Sequence, residues 1–281
     1  MNALLTVQPI YSLAGFAVGL LVGLTGVGGG SLMTPILILL FGIHPATAVG
    51  TDLLYAAATK TAGSLVHGYN RTVDWRVVRR LAAGSVPLTI LTIWVLSHVD
   101  IQGAGAREVI SGVLTIALFV TALMLVFRDR IVRRYAAVIG RFSERRVAGL
   151  TVAVGAALGV LVSISSVGAG AIGVTALILL YPQLPTARIV GSDIAHAVPL
   201  TLVAGIGHWW LGSINLDLLV PLLLGSVPGI VLGSYTAARV PETALRLLLA
   251  GTLIVVATKL SLDAYSASGA VVTATTNRAH P

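Results

Sequence analysis

Long apolar stretches separated by short polar turns make up nearly the whole chain. The runs lie at roughly 9–25, 31–42, 46–66, 77–97 and 108–127, then at 147–165, 172–181, 187–211, 216–237 and 244–262. They are rich in Leu, Ala and Val and lack the two-residue alternation of a membrane barrel strand, so the pattern predicts helix throughout. Most are long enough to cross a bilayer, which takes about 20 apolar residues. The second run of each set is not, because about 12 helical residues reach only ~18 Å. Each short run follows a Gly-rich break and is expected to be a half-helix or a steeply placed short helix. The expected fold class is all-α: a polytopic transmembrane helix bundle.

The two sets of runs repeat one another about 140 residues apart. Gly15-x-x-x-Gly19 through Val27-Gly28-Gly29-Gly30 recurs as Gly155-x-x-x-Gly159 through Val167-Gly168-Ala169-Gly170. Val49-Gly50-Thr51-Asp52 returns as Val190-Gly191-Ser192-Asp193, and Gly84-Ser85-Val86-Pro87 as Gly225-Ser226-Val227-Pro228. Duplicated apolar units with Gly-rich interruptions in matching places are a construction used by secondary transporters, with the solute held where the units meet. The expected organisation is a first transmembrane repeat (1–127), a basic loop (128–146), a second repeat (147–262) and a polar, solvated tail (263–281).

Composition sharpens this picture. Only 10% of residues are charged while 56% are hydrophobic, against roughly 25% charged in soluble domains, so the outer face must meet lipid. No cysteine is present, which excludes disulfides and thiolate metal sites. The start of the chain has no Lys or Arg before its first apolar run, so it reads as part of the bundle rather than as a signal peptide. The net charge of +8 matters by location. Residues 128–146 hold seven arginines against Asp129 and Glu144, marking the cytoplasmic side against anionic headgroups; nothing beside them supports nucleic-acid binding. With that segment inside, Arg71, Arg76, Arg79 and Arg80 also fall inside, whereas the equivalent turn at 208–216 carries no Lys or Arg. Equivalent turns on opposite sides imply inverted-topology repeats, with both termini outside.

Candidate chemistry gathers at the breaks. Thr25, Gly28, Gly29, Gly30 and Ser31 in the first repeat, and Ser165, Ser166, Gly168 and Gly170 in the second, precede the short runs. Glycines let the chain leave helical geometry, and the next helix begins with unpaired amides that favour an anion. Two such starts meeting at the repeat interface are the expected substrate site. Gly15, Gly19, Gly155 and Gly159 read instead as close-packing positions. The spacing Gly26-x-Gly28-x-x-Ser31 lacks the third glycine of a dinucleotide loop. Asp52 and Asp193 are candidate coupling groups, because intramembrane acids are costly and functional, or else helix caps near the starts of their runs. Lys60, replaced by Thr201 in the second repeat, breaks the symmetry, with Asp52 as its candidate partner. His67 and His208 are further coupling or gating candidates, and Tyr55 and His196 form another equivalent pair. An aspartyl dyad lacks its expected Gly-x-Gly-Asp context, so no enzyme activity is expected. No catalytic residue, metal site or cofactor is assigned, and no ATP-binding motif is present, so a gradient must drive any transport.

The duplicated GVGGGSLMTPILILL and SVGAGAIGVTALILL segments, the HPATAVGTD and RIVGSD turns and the GSVP segments resemble the sulfite exporter TauE/SafE family over residues 11–262. The second repeat departs from the glycine form, with Ser166 and Ala169 where the first has Gly26 and Gly29. The resemblance implies a bacterial inner-membrane permease for small sulfur-containing anions such as sulfite or organosulfonates. The expected partners are a small anionic solute and the lipid bilayer, no nucleic acid, and a second copy of the chain if it dimerises. The alternative function is a proton-coupled cation antiporter using Asp52 and Asp193.

Overall fold

In the computed structural model the described residues are 9–25, 30–139, 142–237 and 242–277, with the side chains at 25, 30–31, 136–138, 234–237, 242 and 264–277 outside that description. They form helices α1 (Pro9–Thr25), α2 (Gly30–Leu39), α3 (Pro45–Tyr69), α4 (Trp75–Leu96) and α5 (Ala104–Ile139), then α6 (Glu144–Ser165), α7 (Ala171–Leu180), α8 (Thr186–Trp210), α9 (Leu216–Ala237) and α10 (Glu242–Asn277). Every expected run is a helix, and α2 and α7 have only 10 residues each. Among the described residues, six helices are long and apolar enough to cross a membrane: α4 to α6 and α8 to α10. α3 has the length, at 25 residues, but carries its own polar interior.

Local sequence sets the boundaries. Asp74 caps α4 by accepting from the Arg76 and Val77 amides, Ser143 caps α6 by accepting from Arg146, and the Asn215 side chain accepts from the Asp217 and Leu218 amides at the start of α9. Each satisfies amides that a helix start leaves open. Pro45 opens α3, where its fixed φ suits the first turn. Two expectations shift. The basic segment 128–146 is helical as far as Ile139, because residues 128–139 contain no glycine or proline to stop α5. The expected tail likewise begins as helix, with α10 reaching Asn277.

The two sets of helices pack crosswise. α1 lies along α9, α4 along α6, α3 along α8 and α5 along α10. Glycine makes the closest of these contacts. A Cβ on Gly15 would strike the Leu222 carbonyl and one on Gly155 the Leu81 carbonyl. Gly19 and Gly159 lie in the same way against Ser226 and Ser85. The reciprocal glycines Gly225 and Gly84 abut the carbonyls of Ser12 and Val152. Lipid offers no hydrophobic drive for helix association, so small residues that bring backbones together supply packing energy instead. Exposed Trp75 and Tyr69 lie at one end of the bundle and exposed Trp94, Trp209 and Trp210 at the other, as aromatic residues do at the two interfaces.

Candidate functional site

α3 and α8 run side by side through the centre, and each carries an acid at its eighth residue. Asp52 is fully buried and Asp193 is 1% exposed. Neither caps a helix, since the N-caps are His44 and Pro185; both are interior groups, two turns into their helices. Thr34, on α2, donates its hydroxyl to Asp52 Oδ2 at 2.6 Å. Asp52 Oδ1 has no hydrogen-bond partner. Asp193 Oδ1 is also unpartnered and fills the space where a Cβ on Gly173 of α7 would stand. Each acid therefore leans on the short helix of its own repeat.

Lys60 lies between them, 6% exposed. The sequence pointed to Asp52 as its partner. The structure instead sets the Lys60 turn beside Asp193: Gly63, three residues on along α3, meets Ile194 of α8. Helical rise explains the change: eight residues separate Asp52 from Lys60 by about 12 Å along α3, whereas α8 brings Asp193 in from the neighbouring repeat. Tyr55 and His196 occupy the next turn. His196 Nε2 pairs with Ser85 Oγ of α4 at 2.8 Å, and Tyr55 neighbours the equivalent Ser226 of α9, with neither oxygen in a hydrogen bond of ordinary geometry.

The second repeat's break lies beside this cluster. α6 ends at Ser165, and Ser166 adopts left-handed geometry at φ 58°. Gly168 and Gly170 follow at φ 118° and 126°, values that only glycine takes up freely. The Ser165 hydroxyl is spent locally, donating to Leu161 O and accepting from the Val167 amide, so it is not turned toward a ligand. The Ser166 hydroxyl is buried, has no hydrogen-bond partner of ordinary geometry and acts on the Asp52 carboxyl. α7 then starts without a side-chain cap. The Gly173 and Val174 amides return to the Gly168 and Gly170 carbonyls, leaving the first-turn amides of Ala171 and Ile172 as its open donors. The matching first-repeat positions, Thr25, Gly28, Gly29, Gly30 and Ser31, lie outside the described residues, as backbone or as side chains.

The paired histidines belong to turns. His208 is 1% exposed, with Nδ1 on Ser213 Oγ at 2.8 Å and Nε2 on the Ser163 carbonyl at 2.9 Å. His67 Nδ1 meets Thr72 Oγ1 at 2.8 Å in the equivalent turn. Each sits at the far end of its own helix but against the start of the other, two residues before its acid: His67 Nδ1 lies 3.1 Å from where a Cβ on Gly191 would stand, and His208 Cβ 3.1 Å from the same point at Gly50. Thr34 and Ser85 were not legible as site residues, because a lone hydroxyl in an apolar run has no periodic signature. At the arginine-rich end, Asp74, Arg76, Arg80, Glu144, Tyr181 and Gln183 help to line a polar cavity of about 420 Å³. There Glu144 accepts from Arg76 and Arg80, and Arg80 also donates to Tyr181, whose hydroxyl meets Thr151.

An interior of buried acids, a lysine and an uncapped helix start, jacketed by apolar helices, is the chemistry of a membrane carrier. Comparison with known proteins agrees. The model of the family described as "Sulfite exporter TauE/SafE" matches residues 11–260. The chain is 38% identical over 251 residues to "Probable membrane transporter protein YjnA" of Bacillus subtilis, covering 88% of this chain and 97% of the relative. It is 27% identical over 240 residues to "Probable membrane transporter protein YdhB" of the same organism, covering 82% and 91%. No solved structure matches. The chain belongs to the TauE/SafE family, a family of membrane transporters, and is a multi-pass membrane protein.

Proposed function

We propose that this member of the TauE/SafE family is a gradient-driven permease for a small anion of the sulfite or organosulfonate class, bound where its two repeats meet. The observation that carries the reading is the buried start of α7, with open amides at Ala171 and Ile172 and glycines at positive φ. It lies in protein rather than lipid and adjoins Asp193. A helix start of this kind holds an anion without a fixed cation beside it. Asp193 would repel that anion, and Lys60 is placed to offset its charge. Thr25, Gly28, Gly29, Gly30 and Ser31 form the equivalent start in the first repeat, and Ser166, Gly168 and Gly170 the described one.

The crosswise pairing of α1 with α9 and α4 with α6 supports repeats of inverted topology, each with a Gly-broken short helix, that rock against each other around the site. The arginine-rich end is then cytoplasmic, and its polar cavity is the inner approach to the site. A second copy of the chain is the natural lipid-embedded partner. Asp52, Lys60 and Asp193 are the coupling groups, and His67 and His208, held in their turns against Gly191 and Gly50, are the gating candidates.

Purified protein in liposomes, offered labelled sulfite, sulfate, sulfoacetate or taurine with and without a pH gradient, tests the substrate class. Gly29→Val should stop flux while leaving membrane insertion intact, and normal flux would remove the Gly break from the mechanism. Cation flux without anion flux, abolished by Asp52→Asn or Asp193→Asn, would establish the antiporter instead. Because the native chain has no cysteine, Tyr69→Cys and Trp210→Cys, at equivalent exposed positions, should react with impermeant thiol reagents from opposite sides. Labelling from one side would refute inverted topology.

A further inference from the structure

The duplicated acids share a helical position but not their surroundings. Lys60 has Thr201 as its equivalent, so the pair of sites holds one lysine, and it stands on the turn of α3 whose Gly63 meets Ile194, next to Asp193. Thr34 has Val174 as its equivalent, so only Asp52 receives a hydroxyl from its short helix. The Asp193 site thus contains a cation, while the Asp52 site is lined by neutral hydroxyls from Thr34 and Ser166. Two buried carboxylates against one buried ammonium leave one negative charge unbalanced. In a low-dielectric interior such a charge is neutralised rather than tolerated. We propose that the acids have divided their work: Asp52 carries the proton that moves with the solute, and Asp193 stays ionised as the partner of Lys60. The proposal rests on the transporter reading above.

Geometry says where the proton goes. Thr34 turns its hydrogen toward Oδ2 at 2.6 Å, which leaves Oδ1, buried and without a partner, as the oxygen to be protonated. Ser166 Oγ lies beside the same carboxyl, is likewise unpartnered, and accepts the new O–H. The carboxylate takes up one proton from water on one side and returns it to water on the other, so the step balances without another reactant. A metal ion fits poorly, since hard cations gather six or more oxygens. Here one hydroxyl already acts as a donor, and no group of three His, Asp or Glu capable of holding a metal occurs among the described residues.

The groups facing Asp52 are Thr34 from α2, Lys60 and Tyr55 from α3 and Ser166 from the end of α6, with His208 of α8 against Gly50, two residues before it. Lys60 is the charged group among them. Ser166 is the left-handed residue at the α6–α7 break. Protonation of Asp52 is therefore read directly by the backbone segment that opens the solute site.

Infrared spectroscopy of the lipid-reconstituted protein, titrated with pH alone, tests this without any substrate. The wild type should show one titrating buried protonated-carboxyl band. Asp52→Asn should abolish that band, Asp52→Glu should shift it, Asp193→Asn should keep it, and Lys60→Met should add a second. A band that survives Asp52→Asn or disappears in Asp193→Asn would overturn the assignment. So would the absence of any band, or its displacement by sodium at constant pH. In sulfite-loaded liposomes, Asp52→Asn should lose all stimulation by a pH gradient; retained stimulation refutes the proton role even if sulfite moves. Failure of the wild type to move sulfite or the related anions would overturn the substrate reading, and the band would still decide the proton assignment.

Discussion

Gly159→Ala is the smallest change that probes how the crossed helices hold the site. A Cβ at 159 would stand 2.5 Å from the Ser85 carbonyl oxygen and 3.0 Å from its Cα. Both are backbone atoms, so no side chain can swing aside. α4 must retreat by about half an ångström to restore even a tight contact. The retreat stretches the 3.3 Å bond from Thr89 Oγ1 to the Gly159 carbonyl beyond useful range. It also pulls Ser85 away from His196, now 2.8 Å distant. Overpacking costs about 1–3 kcal/mol and a lost hydrogen bond about 0.5–1.5, so a destabilisation of about 2–4 kcal/mol is expected from the sum. Reversible unfolding in mixed micelles measures it. Gly149→Ala and Gly112→Ala are the controls, because a Cβ there meets nothing within 4 Å; helix propensity predicts stability unchanged or raised by up to about 1 kcal/mol. Should Gly159→Ala unfold within about 0.5 kcal/mol of those controls, close backbone approach is not what joins α4 to α6.

Gly19→Ala, at the equivalent contact with Ser226, should cost the same within about 1 kcal/mol in that assay, and a neutral result would show the crossed pairs to be unlike. His208→Ala should destabilise by about 2–4 kcal/mol, through two broken buried bonds and the space left behind. His67→Ala, with one side-chain bond in a half-buried turn, should cost about 1 kcal/mol; equal losses would contradict the difference in burial. Arg71 has φ 54° where the second repeat places Gly212 at 68°. Arg71→Gly is therefore expected to be neutral or stabilising by up to about 1 kcal/mol, and a clear loss would mean that its charge holds the turn. Asp129→Ala removes the paired bonds to Arg246, but that carboxylate is 64% exposed. The measured cost should stay under about 1 kcal/mol and shrink with salt.

Membrane, helices and duplication were all legible along the chain. Charge scarcity forces the outer face into lipid, lipid allows only backbone that bonds within its own segment, and a repeated run of positions returns the same helix lengths. The close-packing glycines were legible for a similar reason, since a missing side chain every four residues is a pattern along one helix face. Helix ends were less so: charge in 128–139 reads as loop, but arginines without a glycine or proline among them continue a helix.

Which groups meet depended on how the helices pack. Asp52 and Lys60 share a helix and are parted by its rise, while Asp193, 133 residues from Lys60 in the chain, is brought level with it where Gly63 meets Ile194. The same crossing pairs Ser85 with His196 and brings Ser166 to Asp52. A pattern along the chain reports faces and periods, because those repeat locally. Contacts between helices depend on crossing and depth, which no local period encodes.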